Sequence, residues 1–469
     1  MIKDFEASVH LQAFGAAQEV TGSNYLLSTP FGNILIDCGL FQGSLKEEMH
    51  NADPFQFDPK SVDFMILTHA HIDHSGRIPK LVKEGFRGKI LCSRPTRDLA
   101  EILLLDAAKI QEADATWENK KRERAGLELL NPLYNTADAQ LALAYLYPVD
   151  INAPVFINEK IQVTFRPTGH LLGACSATLS IEGRHVTFSG DMGTRDPILY
   201  PPPEPMPPSE VVICEATYGN KHHSPSELRV QKLISTLEET LANGGTAIIP
   251  AFSVGRTQQL LYDLFIYLKD HPGADLHQYP IFVDSPLAID ATEIYKHHLD
   301  WLKPTVKREF MHPVNPFMQD RLTFVHDMKK SIALNANPEP KIIISASGMC
   351  DAGRIRHHLK HYLWQPKTTL IFVGYQAEGS LGRAILEGQN PVTILDETIA
   401  VKARIVTLNG YSGHGDQADL MDWIATNPRL KRVILSHGEP EAILAMKGLL
   451  EAKHLEVTMA QKAESMKLW

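Results

Sequence analysis

The feature that most constrains the fold is a group of four metal-ligand side chains within six positions. Residues 64–67, FMIL, have the composition of a buried strand, and His69, His71, Asp73 and His74 follow directly. In an extended segment, residues two apart point the same way, so His69 and His71 can close on one ion. Asp73 and His74 follow where the chain turns towards a helix and can face a second ion. Four such polar side chains at a strand end are unfavourable in an apolar core but well suited to coordinate metal ions.

Short apolar runs alternate with amphipathic stretches along most of the chain. The runs are rich in β-branched residues and have the length of buried strands. They lie at 33–37, 64–69, 89–92, 163–166, 186–190, 211–216, 246–252, 281–285, 341–347, 370–375, 403–408 and 432–437. Helical patterns cover 96–114, 226–242, 255–268, 352–363 and 439–452. Strands that alternate with helices predict an α/β architecture.

Composition fits a folded chain of two or three domains. The 469 residues are 44% hydrophobic and 22% charged, which excludes disordered and fibrous classes. The net charge of −9 argues against a histone-like nucleic-acid binder, although a local basic groove or bound metal can still attract a polyanion. Five scattered cysteines, with no membrane-length apolar run and no signal-peptide core, predict a cytoplasmic protein without membrane contact.

Four further histidines and acids repeat one arrangement along the chain. In each case a strand ends and a short glycine-containing loop presents one ligand-type side chain. These are His170 in TGHLLGACS, Asp191 in SGDMG, His414 in SGHGD and His437 in SHGEP. Each is weak evidence alone, but α/β folds collect a site from distant segments in this way.

This ordered set of motifs resembles the metallo-β-lactamase superfamily. Four stretches narrow the resemblance to the β-CASP nucleases, which include the cleavage and polyadenylation endonuclease and the RNase J enzymes: CEATYG at 214–219, GYQAEGSLGR at 374–383, and the SGHGD and SHGEP motifs. The chain is similar to the short prokaryotic members. The resemblance implies a four-layer αβ/βα sandwich formed by residues 1–219 and 405–469, with an inserted α/β β-CASP lid domain at 220–404.

The resemblance also implies a ligand set. Seven side chains would hold two zinc ions, with His69, His71 and His170 on one, Asp73, His74 and His437 on the other, and Asp191 bridging them. Asp37 would support a ligand from behind through a hydrogen bond. Manganese is the alternative metal for these nitrogen and oxygen donors.

The implied reaction is hydrolysis of RNA phosphodiester bonds, in RNA processing or decay, by a hydroxide that bridges the two zinc ions. It would leave a 5′-phosphate and a 3′-hydroxyl, because this attack needs no ribose 2′-hydroxyl. Asp73 and Asp191 would take part as ligands, and His414, held by Glu215, would give a proton to the leaving oxygen. The expected substrate is single-stranded RNA, cut internally or from the 5′ end. Dimers are common in the family, so we expect a homodimer.

Three strand–loop–helix junctions in the inserted domain are expected to contact RNA phosphates. Small residues allow close backbone approach, and N–H groups at a helix start can hold an anion. An arginine can add a bidentate contact. The expected contacts are Ser253, Arg256, Ser347, Gly348, Gln376, Ser380 and Arg383.

Three other functions fit parts of the pattern. A DNA nuclease of the same fold is disfavoured by His437, since RNA-acting members tend to have histidine there. A thioester or lactone hydrolase is disfavoured by the long inserted domain with its anion-type loops. A non-catalytic RNA-binding scaffold should lack some of the seven ligands, and the sequence retains them all.

Overall fold

A computed structural model describes residues 8–43, 45–223 and 226–469. The described strands are β1 (His10–Gly15), β2 (Asn24–Thr29), β3 (Gly32–Ile36), β4 (Phe64–Ile66), β5 (Lys89–Ser93), β6 (Leu146–Val149), β7 (Val155–Phe156), β8 (Ile161–Pro167), β9 (Cys175–Ile181), β10 (Arg184–Phe188), β11 (Val211–Glu215), β12 (Thr246–Pro250), β13 (Ile281–Val283), β14 (Leu322–Phe324), β15 (Lys341–Ser345), β16 (Thr369–Phe372), β17 (Val392–Ile394), β18 (Glu397–Ile399), β19 (Arg404–Thr407), β20 (Arg432–Ser436), β21 (Glu456–Met459) and β22 (Ser465–Lys467).

The described α-helices are α1 (Leu45–Met49), α2 (Ile72–Ser75), α3 (Ile78–Lys83), α4 (Arg94–Arg124), α5 (Thr136–Leu143), α6 (Ser226–Ala242), α7 (Arg256–Asp270), α8 (Pro286–His297), α9 (Pro304–Phe310), α10 (Met328–Ala336), α11 (Ile355–Tyr362), α12 (Leu381–Leu386), α13 (Gln417–Ala425) and α14 (Pro440–Glu451). None of them has the length and apolar character that a membrane span needs. The helices and strands alternate, which confirms the predicted α/β architecture.

The chain forms two compact units. The first unit consists of the described residues up to Pro197 together with Pro201–His222 and His414–Trp469, and the second of Ile198–Tyr200 and His223–Gly413. The sequence predicted the insertion at 220–404. The second unit extends beyond residue 404 because β19 pairs in parallel with β16 and so belongs to its sheet. The division into domains at 1–219, 220–404 and 405–469 therefore stays a proposal. The compact unit His223–Gly413 begins and ends later in the chain than the predicted insertion.

Two seven-stranded sheets form the centre of the first unit. The strand order is β22-β1-β2-β3-β4-β5-β6 in one sheet and β21-β20-β11-β10-β9-β8-β7 in the other. Their inner faces meet, since the ring of Tyr25 on β2 lies 6.0 Å from that of Phe188 on β10. Helices α3, α4 and α5 pack beside the first sheet, and α13 and α14 contribute Leu420, Trp423 and Met446 to an apolar cluster on the second. The order helix, sheet, sheet, helix is the predicted four-layer sandwich.

The second unit is built on a parallel sheet of six strands, in the order β14-β13-β15-β12-β16-β19. Its central strands are apolar on both faces, as the run Ile342, Ile343 and Ile344 on β15 illustrates with no exposed surface. Parallel sheets covered by helices on both faces need such runs. A two-stranded hairpin of β17 and β18 completes this unit in the described chain.

The backbone after β3 interlocks with the histidine-rich loop after β4. The N–H of Cys38 donates to the carbonyl of His74 at 2.7 Å, and the N–H of Ser23 donates to the carbonyl of Asp73 at 2.8 Å. Gly39 fits here because a Cβ at this position would lie 1.5 Å from the carbonyl oxygen of Asp73. The loop that carries the predicted ligands is therefore held by main-chain contacts.

We expect Gly39→Ala to lower the free energy of unfolding of the first unit by about 1–3 kcal/mol, because the added methyl group must displace the loop. Gly448→Ala is the matched control, since Gly448 lies in α14 and a Cβ there meets no atom within 4 Å. The control should raise the stability by up to about 1 kcal/mol through helix propensity. Scanning calorimetry of the two variants measures the difference, and equal transition temperatures would refute the steric argument.

Candidate metal centre

The predicted ligands lie in loops that follow strands pointing in one direction. β3 and β4 are parallel neighbours, as are β10, β11 and β20. β8 and β10 both pair antiparallel with β9 and so share a direction. Because the carboxyl ends of such strands meet at one edge, residues far apart in sequence come together. His74 and His437, for example, are 363 positions apart and 3.2 Å from ring nitrogen to ring nitrogen.

Three imidazoles form a first group, which consists of His69, His71 and His170. The Nδ1 atom of His71 lies 3.1 Å from Nε2 of His69 and 3.2 Å from Nε2 of His170. Oδ2 of Asp191 lies 3.4 Å from Nε2 of both His69 and His170. These ligand atoms lie within 4.8 Å of one another and could hold one metal ion.

A second group consists of Asp73, His74 and His437. Nε2 of His437 lies 3.2 Å from Nε2 of His74 and 3.6 Å from Oδ2 of Asp73. Oδ1 of Asp191 lies 3.2 Å from Nε2 of His74. The ligand atoms of Asp73, His74 and His437 lie within 4.8 Å of one another, so a second ion could be held here.

The carboxylate of Asp191 faces both groups, with Oδ2 towards the first and Oδ1 towards the second. Its side chain is only 2% exposed. Burial by itself would raise the pKa of Asp191, but the surrounding histidines, first His74 and then His437, hold that pKa well below its usual range. Asp191 is therefore an anion in the position of a bridging ligand.

The donor set fits divalent cations. Burial lowers the pKa of His69 well below its usual range and that of His71 to about 4, so both imidazoles are neutral, the form that binds a metal. Ring nitrogens 3.1–3.2 Å apart are close enough together to bind a common ion. Nitrogen and carboxylate donors in two groups of this kind suit zinc.

Asp37 orients the ring of His74 through the ring nitrogen that is remote from the ligand atoms. Its Oδ2 lies 2.7 Å from Nδ1 of His74, which leaves Nε2 facing the ligand atoms. The backbone N–H of Thr68 donates to Oδ1 of Asp37 at 2.9 Å, and the Thr68 hydroxyl donates to Oδ2, also at 2.9 Å. A carboxylate fixed in this way sets the tautomer and the orientation of a ligating histidine.

A partly exposed histidine, His414, pairs with the buried carboxylate of Glu215 beside the two groups. Nδ1 of His414 lies 3.0 Å from Oε2 of Glu215, and its Nε2 lies 3.8 Å from Oδ2 of Asp191. The N–H of Met192 donates to Oε1 of Glu215 at 2.6 Å and fixes the carboxylate. Burial disfavours the imidazolium, but Glu215 and Asp191 together raise the pKa of His414 to about 9. The ring is thus an imidazolium, protonated on both nitrogens, and its Nε2–H is directed at the ligand atoms.

Three family descriptions match successive parts of the chain. The Metallo-beta-lactamase superfamily matches residues 18–232, the Beta-Casp domain matches residues 257–385, and the Zn-dependent metallo-hydrolase RNA specificity domain matches residues 398–460. The chain is 39% identical over 451 residues to Ribonuclease TTHA0252 of Thermus thermophilus, a match that covers 96% of this chain and 98% of that protein.

The chain belongs to the metallo-beta-lactamase superfamily, in its Beta-Casp branch.

Two archaeal relatives agree with this assignment. The Transcription termination factor FttA of Methanosarcina mazei is 32% identical over 92% of this chain and 67% of its own length. An RNase J-like protein of Methanocaldococcus jannaschii is 31% identical over 92% of this chain and 93% of its own length. Membership of this family makes the chain a metal-dependent hydrolase.

The second unit contains the Beta-Casp match and is called the Beta-Casp unit. The residues predicted to contact RNA follow β12, β15 and β16 at the carboxyl edge of its six-stranded sheet. The Gln376 carboxamide donates to the carbonyl of Gly348 at 2.9 Å, so two of the predicted loops touch. The hydroxyl of Ser253 lies 3.2 Å from that of Ser285, and the hydroxyl of Ser347 accepts the N–H of Ala352 at 3.2 Å.

Several of these predicted side chains make bonds that shape the loops. Ser380 is 1% exposed, donates to the carbonyl of Ala377 and caps α12, and Gln376 is 4% exposed. The guanidinium of Arg256 donates to Gln259, and that of Arg383 is paired with Glu387. A role for these loops in binding phosphate therefore rests on their backbone more than on the buried side chains of Ser380 and Gln376.

The sequence analysis missed two threonines that touch the centre. Thr68 bonds to Asp37, and the hydroxyl of Thr217 lies 3.1 Å from Nδ1 of His437. Thr217 stands two positions after Glu215, so both side chains leave the end of β11 on the same side. That spacing is the signal that could have identified Thr217.

We expect zinc to stabilise the protein. After treatment with a chelator, zinc at about a hundredfold excess over its dissociation constant should add about 2.7 kcal/mol to the stability for each ion bound, which corresponds to about 5–10 °C per ion in the transition temperature of the first unit. Scanning calorimetry with and without zinc measures the shift. A double variant, His69→Ala with His71→Ala, should lose at least the share of the first ion, and an unchanged shift would locate the zinc elsewhere.

Proposed function

We propose that the chain is a zinc-dependent ribonuclease that hydrolyses RNA phosphodiester bonds and leaves a 5′-phosphate and a 3′-hydroxyl. The names of two relatives, a ribonuclease and an RNase J-like protein, support RNA as the substrate. The match to an RNA specificity domain over 398–460 contains both His414 and His437 and supports the same choice. The homodimer and the cytoplasmic location expected from the sequence stay predictions.

The observation that carries the proposal is the convergence of seven ligand side chains into two groups that share Asp191. A degenerate, non-catalytic member has no need of both groups. Two divalent cations held here would supply a water of lowered pKa and would neutralise charge on the phosphate. The chain itself supplies the metal ligands. Asp37 orients His74 among them, and His414 is the proton donor.

We propose His414 as the group that protonates the leaving 3′-oxygen. Its Nδ1–H donates to Glu215, and its Nε2 is directed at the ligand atoms, where the scissile phosphate must lie for reaction. The contact with Glu215 and with Asp191 keeps the ring protonated, so a proton is available at Nε2. Glu215 acts through His414 and does not need to touch the RNA.

We also propose that phosphates of the RNA chain lie along the loops after β12, β15 and β16. These loops are rich in small residues, and the first of them ends where α7 begins, with backbone N–H groups at a helix start. Arg256 and Arg383 lie in the first turns of α7 and α12, beside these loops, and Arg383 would exchange its pairing with Glu387 for a phosphate. Cleavage inside the chain and cleavage from the 5′ end both agree with this arrangement.

We expect Asp73→Asn to reduce RNA cleavage at least about a hundredfold, because loss of the carboxylate weakens the second group. The assay uses 5′-labelled and 3′-labelled single-stranded RNA beside DNA of the same sequence, with each product tested for a 5′-phosphate. Asp114→Asn, an exposed carboxylate on α4, is the matched control and should keep full activity.

Internal fragments would assign endonuclease action, and mononucleotides from the labelled 5′ end would assign exonuclease action. Cleavage of DNA with no cleavage of RNA would overturn the choice of substrate. Cleavage that survives Asp73→Asn unchanged would assign the activity to another site.

We expect His414→Ala to lower kcat on RNA by about 10²–10⁴, the usual contribution of a general acid. A phosphodiester with a p-nitrophenolate leaving group needs no proton on departure, so its hydrolysis should fall far less. Zinc content should stay at the wild-type value. His297→Gln, an exposed histidine of the Beta-Casp unit, serves as control. Equal losses on both substrates would rule out proton donation and leave His414 a binding role.

A further inference from the structure

Thr217 is a buried residue that touches both the ring and the backbone of His437. Thr217 is 7% exposed and is the second residue after β11, which runs parallel to β20. Its Oγ1 lies 3.1 Å from Nδ1 of His437 and 3.1 Å from the carbonyl oxygen of the same residue. One hydroxyl therefore reaches two atoms of a candidate metal ligand.

The two contacts together set where the hydroxyl proton goes. The carbonyl oxygen of His437 can only accept, so the hydroxyl of Thr217 donates to it. The oxygen lone pair of Thr217 is then directed at Nδ1, where it accepts an N–H of the imidazole. With its proton on Nδ1, a neutral His437 has its lone pair on Nε2, which lies 3.2 Å from Nε2 of His74.

The backbone of His437 is held by main-chain hydrogen bonds as well, including one from the N–H of Ala216 to its carbonyl at 3.1 Å. Its φ is 47°, in the left-handed region that residues with a side chain seldom adopt. Its N–H donates to the carbonyl of Ala16 at 2.6 Å, and the next N–H, of Gly438, donates to the carbonyl of Glu19 at 3.2 Å. The contact from Thr217 to the carbonyl of His437 restrains the other side of the same residue.

We propose that Thr217 is a positioning residue that fixes the tautomer and ring orientation of His437, so that Nε2 is free to hold the ion of the second group. The inference rests on the proposed two-metal site. It assigns to Thr217 the role for His437 that Asp37 has for His74: both side chains fix Nδ1 and leave Nε2 for the metal.

The contacts of Thr217 indicate that a change of its side chain should affect metal binding at the second group alone. Glu215 holds His414, and the contact of Thr217 with Glu215 uses the backbone N–H, at 3.3 Å from Oε2. A change of the Thr217 side chain leaves this N–H in place. The first group makes no hydrogen bond to Thr217 among the described contacts.

The test compares Thr217→Val, which removes the hydroxyl at almost constant shape, with Thr217→Ser, which keeps it. Zinc affinity is measured by competition with a chromophoric chelator, starting from metal-free protein. We expect Thr217→Val to lower the affinity for one of the two zinc ions about 10–100-fold, which is the usual effect of losing the hydrogen-bond partner of a ligating histidine. Thr217→Ser should stay close to wild type.

Thr292→Val is the matched control for loss of a buried threonine hydroxyl. Thr292 is 1% exposed and donates to the carbonyl of Ala288 in the Beta-Casp unit. It should leave both zinc affinities unchanged. A second readout uses protein saturated with cobalt, in which the Nδ1–H of His437 should give a hyperfine-shifted exchangeable proton signal. Thr217→Val should make this proton exchange faster with water, and His437→Gln identifies the signal by its loss.

The outcomes separate this inference from the proposed ribonuclease activity. If Thr217→Val keeps both zinc ions at wild-type affinity, or if Thr217→Ser loses as much as Thr217→Val, the positioning role is wrong, whatever the protein does to RNA. If the wild type binds two ions and cleaves no RNA, while Thr217→Val loses one ion, the activity is refuted and the role of Thr217 is supported. A wild type that binds no zinc overturns both.

Discussion

The buried carboxylate of Asp191 is the contact on which the arrangement of the centre depends. An ionised carboxylate away from water is unfavourable by several kcal/mol unless partners compensate it. The imidazoles that approach both oxygens come from loops after different strands, and cations held between these rings and Asp191 would supply the compensation. Because one residue needs compensation on both sides, the first and second groups are tied to each other. The loops can satisfy Asp191 only when they meet at the same edge of the two sheets.

The loop after β4, which supplies four of the seven candidate ligands, is held in place by main-chain hydrogen bonds that do not involve the ligand atoms. Main-chain bonds to Cys38 and Ser23 fix residues 73 and 74, and the close approach at Gly39 leaves no room for the loop to shift. Asp37 then orients His74 by a bond to the ring nitrogen remote from the ligand atoms. Preorganisation of this kind matters for a hydrolase, because charge that develops in the transition state is best met by groups already in place.

The sequence predicted what depends on local spacing. Residues two apart after β4 face one way, and the strand-end loops of parallel strands share an edge, so spacing indicated the candidate side chains. The choice of seven ligands among these candidates came from the family resemblance and stays a prediction. β9 escaped notice because its residues, CSATLSI, are small and polar although all are buried. Burial on both faces of a strand cannot be read from such a composition. Gln376 and Ser380 were predicted to contact RNA, but their hydrogen bonds within the loops depend on which loops touch, which no local pattern encodes.

The end of β11 shows how one short segment can serve the core and the centre at once. Cys214 and Ala216 point into the apolar cluster under α13 and α14, while Glu215 and Thr217 point to His414 and His437. This alternation follows from the period of two in an extended chain, and a slip of one residue would exchange the two faces. Gly438 has to lack a side chain, since a Cβ there would lie 2.7 Å from the carbonyl oxygen of Ala216 and 3.2 Å from the Cβ of Ala216. The tight packing beneath this segment therefore fixes the register of both side chains that hold the two histidines.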